Sequence, residues 1–393
     1  MACRKAGKFI HEKSEVELVF VWEIIFQEQT GAFIVRAQVT GVRPQIPLLA
    51  ARLSLPARCN RVWNMPGEMP EFQPHPLLKS GHAQTIASAF VPRRLHLPLA
   101  QKRLFQVDPW SKLLGICHWH GEKQRNIPVM VVVHGLEGSC DSNYVRGIAE
   151  KAYGNGFHVV RMNQRNCGGT ETLTPTLYNS GMSGDYRAVL EELIEKDRFE
   201  QIFFAGYSMG GNLVTKMAGE LADAAPEQLR GVCAVNPALD LAACADALER
   251  RENLLYQRHF VTGLMSHYQK KAKLFPDRYP VNGFGAVQTV RRFDDVITAP
   301  QFGYRDAAEY YEAASAKRVV DRVRVPLLVI TAEDDPFVPY ELFLPLRLEQ
   351  NPCVRFVAPR NGGHCAFISR FSGSERFWAE QRIVDFCNAL RRL

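Results

Sequence analysis

The sequence predicts an α/β fold built on a mainly parallel sheet, and three observations carry that prediction. From about Glu71 onward, short apolar runs rich in Val, Ile and Phe alternate with longer segments of helical period. Several of these runs are apolar at consecutive positions, as expected for strands covered by helices on both faces. One long interval, residues 237–316, breaks the rhythm with helical spacing and no buried strand.

Taken in order, residues 1–70 differ from the rest of the chain. Val16–Phe26 and Ala32–Val39 could each form a strand, but Pro44, Pro47, Pro56, Pro66 and Pro70 then interrupt the chain. This segment reads as a poorly ordered N-terminal extension ahead of a domain at 71–393. Within that domain the strand runs are Leu113–Trp119, Val129–His134, Phe157–Met162, Gln201–Ala205 and Leu229–Val235. Asn143–Tyr153, Gly184–Lys196 and Gly210–Ala222 are the helical segments between them. In the interval after the last of these strands, Leu241–Lys273 places Phe260, Leu264 and Tyr268 at helical spacing, and Arg305–Val320 is a second such stretch. Residues 237–316 are therefore expected to be a mostly helical insertion. Strands Pro326–Thr331 and Val354–Ala358 and a helix over Glu375–Leu390 close the chain.

Composition narrows the function classes. With 46% hydrophobic and 23% charged residues among 393, the chain is an ordinary globular protein that can bury a large core. The net charge, 48 − 41 = +7, is spread along the chain without a dense Lys/Arg tract, which makes no case for nucleic acid. Ten scattered cysteines include no C-x-x-C pair, so neither a disulfide scaffold nor a zinc ribbon is indicated. The N-terminus lacks the apolar stretch of a signal peptide. Val16–Phe26 is interrupted by Glu17 and Glu23 and falls far short of the ~20 residues that span a bilayer. The expectation is a cytoplasmic protein with reduced thiols.

The sharpest chemical signal is Gly206-Tyr207-Ser208-Met209-Gly210-Gly211, directly after an apolar run and opening into a helical segment. A nucleophile on a tight strand-to-helix turn sits in strained backbone, so glycines two positions away on each side relieve Cβ clashes. The helix N-terminus behind Ser208 favours developing negative charge. A serine hydroxyl is a weak nucleophile near neutral pH and needs a base, which in turn needs a carboxylate to orient it. In this architecture both come later in the chain, acid first. The run Pro326–Thr331 leads into Glu333, Asp334 and Asp335 on a proline-stiffened loop, and any of the three offers the acid. The run Val354–Ala358 leads into Asn361-Gly362-Gly363-His364, a histidine on a glycine loop after the last strand.

Acyl transfer also needs donors for an oxyanion, typically backbone N–H groups. Met209, next after the serine, is expected to supply one. The loop His134-Gly135-Leu136-Glu137-Gly138-Ser139 is expected to supply the other, from Leu136. His134 precedes the serine and reads as a brace for that loop. Asn163–Thr170 reads as a tight structural loop, Cys365 as a packed thiol, and Cys117-His118-Trp119-His120 as a strand without a metal site, since alternate residues face opposite ways. No cofactor or metal is expected.

These motifs resemble the α/β-hydrolase superfamily, and more narrowly its YheT-like branch, over roughly Phe72 to Leu393. The resemblance rests on Ser80–Thr85, His134–Ser139, Asn163–Gly169, Gly206–Gly211, Arg292–Ile297, Asp334–Phe337 and Gly362–His364. It implies an eight-stranded, mostly parallel sheet with helices on both faces and a helical cap between strands six and seven. It also favours Asp335 as the acid, because the family places that residue just before a short apolar stretch ending in proline, here Pro336–Pro339. The implied activity is hydrolysis of carboxylic esters, with short- to medium-chain acyl esters or monoacylglycerol-like lipids as substrates. Catalysis would run through Ser208, Asp335 and His364, with Leu136 and Met209 as oxyanion donors. Lys270, Lys271 and Lys273 invite a peripheral lipid contact, against the plainer reading of a solvated basic face. Two rival functions share the motifs: a thioesterase or acyltransferase with the same triad, and a non-enzymatic ligand-binding protein on the same fold.

Overall fold

In the computed structural model, residue 59 and residues 69–93, 95–280 and 286–391 are described in full, together with the backbone of two further strands. The chain divides into two units, residues 1–60 and 61–393. In the first, the two strand-forming runs pair antiparallel as β1 (Val19–Gln27) and β2 (Ala32–Thr40). The second unit is built on eight strands. These are β3 (Gln101–Asp108), β4 (Ser111–His118), β5 (Val129–Val133), β6 (His158–Met162), β7 (Ile202–Tyr207), β8 (Leu229–Val235), β9 (Leu327–Ile330) and β10 (Val354–Val357).

The sheet order is β10-β9-β8-β7-β5-β6-β4-β3, with only β4 reversed against its neighbours. All five residues of β5 are buried. Val129, Val131 and Val133 join the core on one face, and Met130 and Val132 join that on the other. Helices α2 (Asn143–Gly154) and α8 (Trp378–Arg391) pack on the second face, and α3 (Ser183–Glu195) and α4 (Met209–Leu221) on the first. Two-sided cover is why these strands read as unbroken apolar runs. The helix preceding the sheet, α1 (Gly81–Phe90), starts on Ser80, whose Oγ accepts from Ala83 N–H.

β5 lies between β6 and β7, so the strand order reverses there. Crevices open beyond the carboxyl ends of strands at such a switch point. Val133 at the end of β5 pairs with Gly206 near the end of β7, which sets the loop after β5 beside the turn carrying Ser208.

The insertion lies between β8 and β9, the sixth and seventh strands of the sheet. It contains α5 (Leu241–Leu248), α6 (Leu254–Leu274), a π-helical turn at Asp294–Thr298 and α7 (Ala307–Ala314). The stretch Leu241–Lys273, expected from its helical spacing to be mostly helical, is two helices separated by a 3₁₀ turn over Arg251–Asn253. Asn253 Nδ2 donates there to Ala247 O at 2.8 Å and Pro336 O at 2.6 Å, tying the cap to the loop after β9.

Two further expectations need correction. The basic trio is not a free face: Lys271 is buried and donates to the carbonyls of Glu171 and Thr174, while Lys270 pairs with Glu171 at 2.8 Å. Burial pulls the Lys271 ammonium down to about 8, and only Lys273 of the three is exposed and unengaged among the described residues. Reduced thiols fail at Cys59 and Cys353, which are disulfide-bonded, whereas the other seven described cysteines are free. Among the described residues no helix is long and apolar enough to cross a membrane.

Candidate active site

β7 ends at Tyr207 and α4 begins at Met209, leaving Ser208 as the single connecting residue, with φ 54° and ψ −119°. Such backbone costs a non-glycine residue about 1–3 kcal/mol and persists only where neighbours enforce it. Here Ser208 N–H donates to Val235 O at 2.9 Å, and Ser208 C=O accepts from Asn212 N–H at 3.0 Å. The flanking glycines are a packing demand. A Cβ on Gly206 would lie 2.2 Å from Gly210 O, and one on Gly210 would lie 2.5 Å from the carbonyl oxygens of both Val133 and His134.

The loop after β5 is braced at several points. Burial pushes His134 down to about 4, so its ring is neutral. Nδ1 carries the proton, since it lies 2.7 Å from Gly135 O, and Nε2 accepts from Gln164 N–H at 3.1 Å. Gln164 Nε2 also donates to His134 O at 2.7 Å, which gives the Asn163–Thr170 stretch its structural purpose. The N–H groups along this loop are then unequal. Gly135 gives its proton to Tyr144 Oη at 2.9 Å, and Glu137 gives its proton to Tyr178 Oη at 3.2 Å. Leu136 N–H, between them, has no partner among the described residues, and neither does Met209 N–H at the start of α4. Leu136, Ser208 and Met209 line one pocket.

The three carboxylates after β9 separate clearly. Asp335 is buried, and its Oδ1 accepts from the N–H groups of Phe337 and Val338, both at 3.0 Å. Its Oδ2 accepts from Asn236 Nδ2 and from His364 Nδ1 at 2.7 Å. The other groups around the carboxylate are N–H donors that use it as acceptor, and His364 Nδ1 joins them as a donor to Oδ2. Burial pulls the His364 pKa down, but the adjacent Asp335 carboxylate outweighs it and raises the imidazole above its ordinary value. Asp334 turns the other way. It accepts from Gly363 N–H at 2.9 Å and Asn361 Nδ2 at 3.3 Å, and so holds the histidine loop. Glu333 is exposed.

The histidine loop rests on α1. Thr85 Oγ1 accepts from His364 N–H at 2.8 Å, and buried Gln84 bonds both N–H and C=O of Ile368. A Cβ on Gly81 would fall 1.7 Å from Asp334 O. The Ser80–Thr85 motif is thus the seat of the acid and histidine loops. The His364 ring lies against Phe337, centroids 4.0 Å apart, and Phe337 lines the pocket that holds Ser208. No hydrogen bond joins Ser208 to His364 among the described residues. In substrate-free sites such contacts are often loose and tighten on binding.

The pocket is narrow, about 90 Å³, and mostly apolar. Leu241, Leu248, Phe260 and Leu264 of the cap face Leu136 and Phe337 of the sheet domain. Sequence reasoning missed Asn236, whose side chain bridges Asp335, the carbonyl of Gly363 and the N–H of Cys365. An asparagine directly after a buried strand and before Pro237 was the available signal. Cys117 is buried, and His118 accepts from Arg161 Nε while facing Pro98 O, so both its ring nitrogens are engaged.

Residues 128–371 match the model of the α/β-hydrolase fold family. The chain belongs to that family. It is 30% identical over 324 residues to "Putative esterase YheT" of Escherichia coli, covering 80% of this chain and 92% of that one. To a monoacylglycerol lipase of Saccharomyces cerevisiae it is 28% identical, covering 64% of this chain and 57% of the yeast protein. The crystal structure of a 2,6-dihydroxy-pseudo-oxynicotine hydrolase superposes with a TM-score of 0.51 at 15% identity, covering 79% of this chain and 72% of that one, a likeness of fold. Ester hydrolysis is the general chemistry to which the esterase and lipase relatives of this α/β-hydrolase point.

Proposed function

We propose that the protein is a serine hydrolase of carboxylic esters, working through an acyl-enzyme on Ser208. The observation that carries this reading is the pair of unspent N–H groups. Leu136 and Met209 are on the pocket that holds Ser208, while the loop amides on either side of Leu136 are committed to tyrosine hydroxyls. The Met209 amide is free because it opens a helix, whereas a binding protein gains nothing by leaving the Leu136 amide unpaired beside a strained serine. An acyl-transfer enzyme needs them where the tetrahedral oxyanion forms.

In this reading Ser208 Oγ attacks the ester carbonyl as His364 Nε2 takes its proton. Asp335 keeps the other ring proton on Nδ1 and stabilises the imidazolium. The oxyanion is received by Leu136 and Met209 N–H. The imidazolium then protonates the departing alcohol, and water activated by the same base releases the acid. The narrow apolar pocket supports short- to medium-chain acyl groups, and a monoacylglycerol-like ester is a natural larger substrate class.

Ser208→Ala should abolish labelling by a fluorophosphonate probe and lower kcat on p-nitrophenyl butyrate by several orders of magnitude, because the groups act as a unit. Retention of more than about a tenth of wild-type activity would refute the assignment.

A further inference from the structure

The Arg292–Ile297 motif plays no part in the relay around Ser208, yet it puts a carboxylate into the pocket wall. Asp294 opens a π-helical turn, a form that recurs at functional sites, and lines the same pocket as Ser208. It is only 8% exposed. Thr298 Oγ1 donates to its Oδ1 at 2.7 Å and Tyr311 Oη to its Oδ2 at 2.8 Å, leaving each oxygen with further acceptor capacity. Asp294 forms no ion pair among the described residues, and the adjacent Arg291 is turned to Asp246 and Glu249. Burial pushes the carboxyl up to about 6, with the two hydroxyl donors opposing that rise.

A carboxylate buried without a paired cation, with Arg291 acting on it only through space, is costly to maintain, and it favours any ligand that brings a donor. The neighbouring pocket residue Tyr310 decides which kind of donor. Its Oη accepts from Ser180 N–H at 2.8 Å and stands beside the Ser180 hydroxyl, the group with which a ligand oxygen would compete for the phenolic proton. An acceptor and a donor lining one pocket match a group that both donates and accepts, which a hydroxyl does and an ammonium does not. The narrowness of the cavity also suits a hydroxyl better than a bulky cation.

We propose that Asp294 and Tyr310 form a specificity-determining subsite for a substrate hydroxyl, so that the preferred esters carry an alcohol function besides the scissile bond. This rests on the serine-hydrolase reading and narrows its substrate class. The hydroxyl could belong to the acyl chain or to the alcohol half, and two isosteric ester pairs separate these sources. The first pair is p-nitrophenyl 6-hydroxyhexanoate against p-nitrophenyl heptanoate. The second is 2-hydroxyethyl butyrate against propyl butyrate.

In one pair, wild-type kcat/KM should favour the hydroxyl ester by about 10- to 100-fold, the range for a hydrogen bond to a charged group. Asp294→Asn should pull that ratio most of the way toward unity while plain esters are still hydrolysed. Tyr310→Phe should lower it several-fold, and serves where Asp294→Asn fails to fold. Ratios below about threefold in both pairs would overturn the proposal. So would equal losses on both members of a pair in the variants, which is what a purely structural aspartate produces. Preference for p-nitrophenyl 6-aminohexanoate over the hydroxy ester would overturn the choice of hydroxyl. Absence of turnover on every ester together with absence of fluorophosphonate labelling would instead remove the parent reading, and this one with it.

Discussion

Replacing Asp335 by Asn tests the proposed relay at its most constrained point. The two carboxylate oxygens face different partners. Oδ1 accepts from Phe337 and Val338 N–H, and Oδ2 from Asn236 Nδ2 and His364 Nδ1. An asparagine must keep its carbonyl toward the two backbone amides, because placing its NH₂ there would oppose two donors with two more. The NH₂ is then presented to His364 Nδ1, which must become the acceptor. The ring proton moves to Nε2, and the nitrogen meant to take the serine proton is already protonated. A wrong tautomer of this kind costs a serine–histidine–aspartate system about 10⁴ in kcat. The expectation here is a loss of about 10³–10⁴, or about 4–5.5 kcal/mol of transition-state stabilisation, with KM little changed. The pH profile adds a second readout. In the wild type, His364 must lose a proton to act as base and Asp335 raises its pKa. The kcat/KM should therefore climb with pH through a midpoint above the ordinary imidazole value of about 6.5. In Asp335→Asn the largest influence raising the ring's pKa is gone, so the midpoint should fall relative to wild type. The assay is p-nitrophenyl butyrate hydrolysis across pH, with Asp334→Asn as control. A variant within about tenfold of wild type, or a larger loss in Asp334→Asn, would refute the reasoning.

Other perturbations test the same geometry. Tyr144→Phe removes the acceptor of Gly135 N–H and should lower kcat by about tenfold through a loosened oxyanion loop, read by steady-state kinetics. Gly210→Ala sets a methyl 2.5 Å from two backbone carbonyls that have nowhere to go. It should destabilise the fold by about 1–3 kcal/mol or more, visible as a lowered Tm in thermal denaturation. The raised pKa of His364 stabilises the folded chain below the unfolded imidazole value, and this contribution is lost as pH rises through the folded value. The Tm gap between wild type and His364→Gln should accordingly be wider near about pH 6 than near about pH 9.

How much was legible depended on how burial wrote itself into local pattern. β5 to β9 and the helices between them could be read because strands covered on both faces must be apolar throughout, and β10, an edge strand buried only at Val354, because its run Val354–Val357 is still mostly apolar. β3 could not: it is the other edge strand, buried at Phe105 alone, so no run marks it. α1 buries only Gly81 and Gln84 and shows no amphipathic stripe, although its motif was visible. The same contrast holds in the candidate site. The glycine spacing around Ser208 reports a clash between near neighbours, and such clashes are local enough to read. Lys271 misled because helical spacing does not tell which side of a helix meets a carbonyl-lined loop.

What the sequence determined by itself is the sheet, its helical insertion, the strained turn at Ser208 and the chain order of serine, carboxylates and histidine. These arise from chemistry within a few residues of backbone. Among Glu333, Asp334 and Asp335 the residues alone left the acid open and the resemblance favoured Asp335; the tertiary structure sets Asp335 against His364. The choice lies in which oxygens receive the amides of 337 and 338 and the side chain of Asn236, which stands 99 residues earlier. It likewise decided which loop N–H groups remain unspent and that Asp294 lines the pocket of Ser208. Hydrogen bonds between distant segments depend on how whole elements pack, and no local pattern encodes where a donor from another strand will arrive.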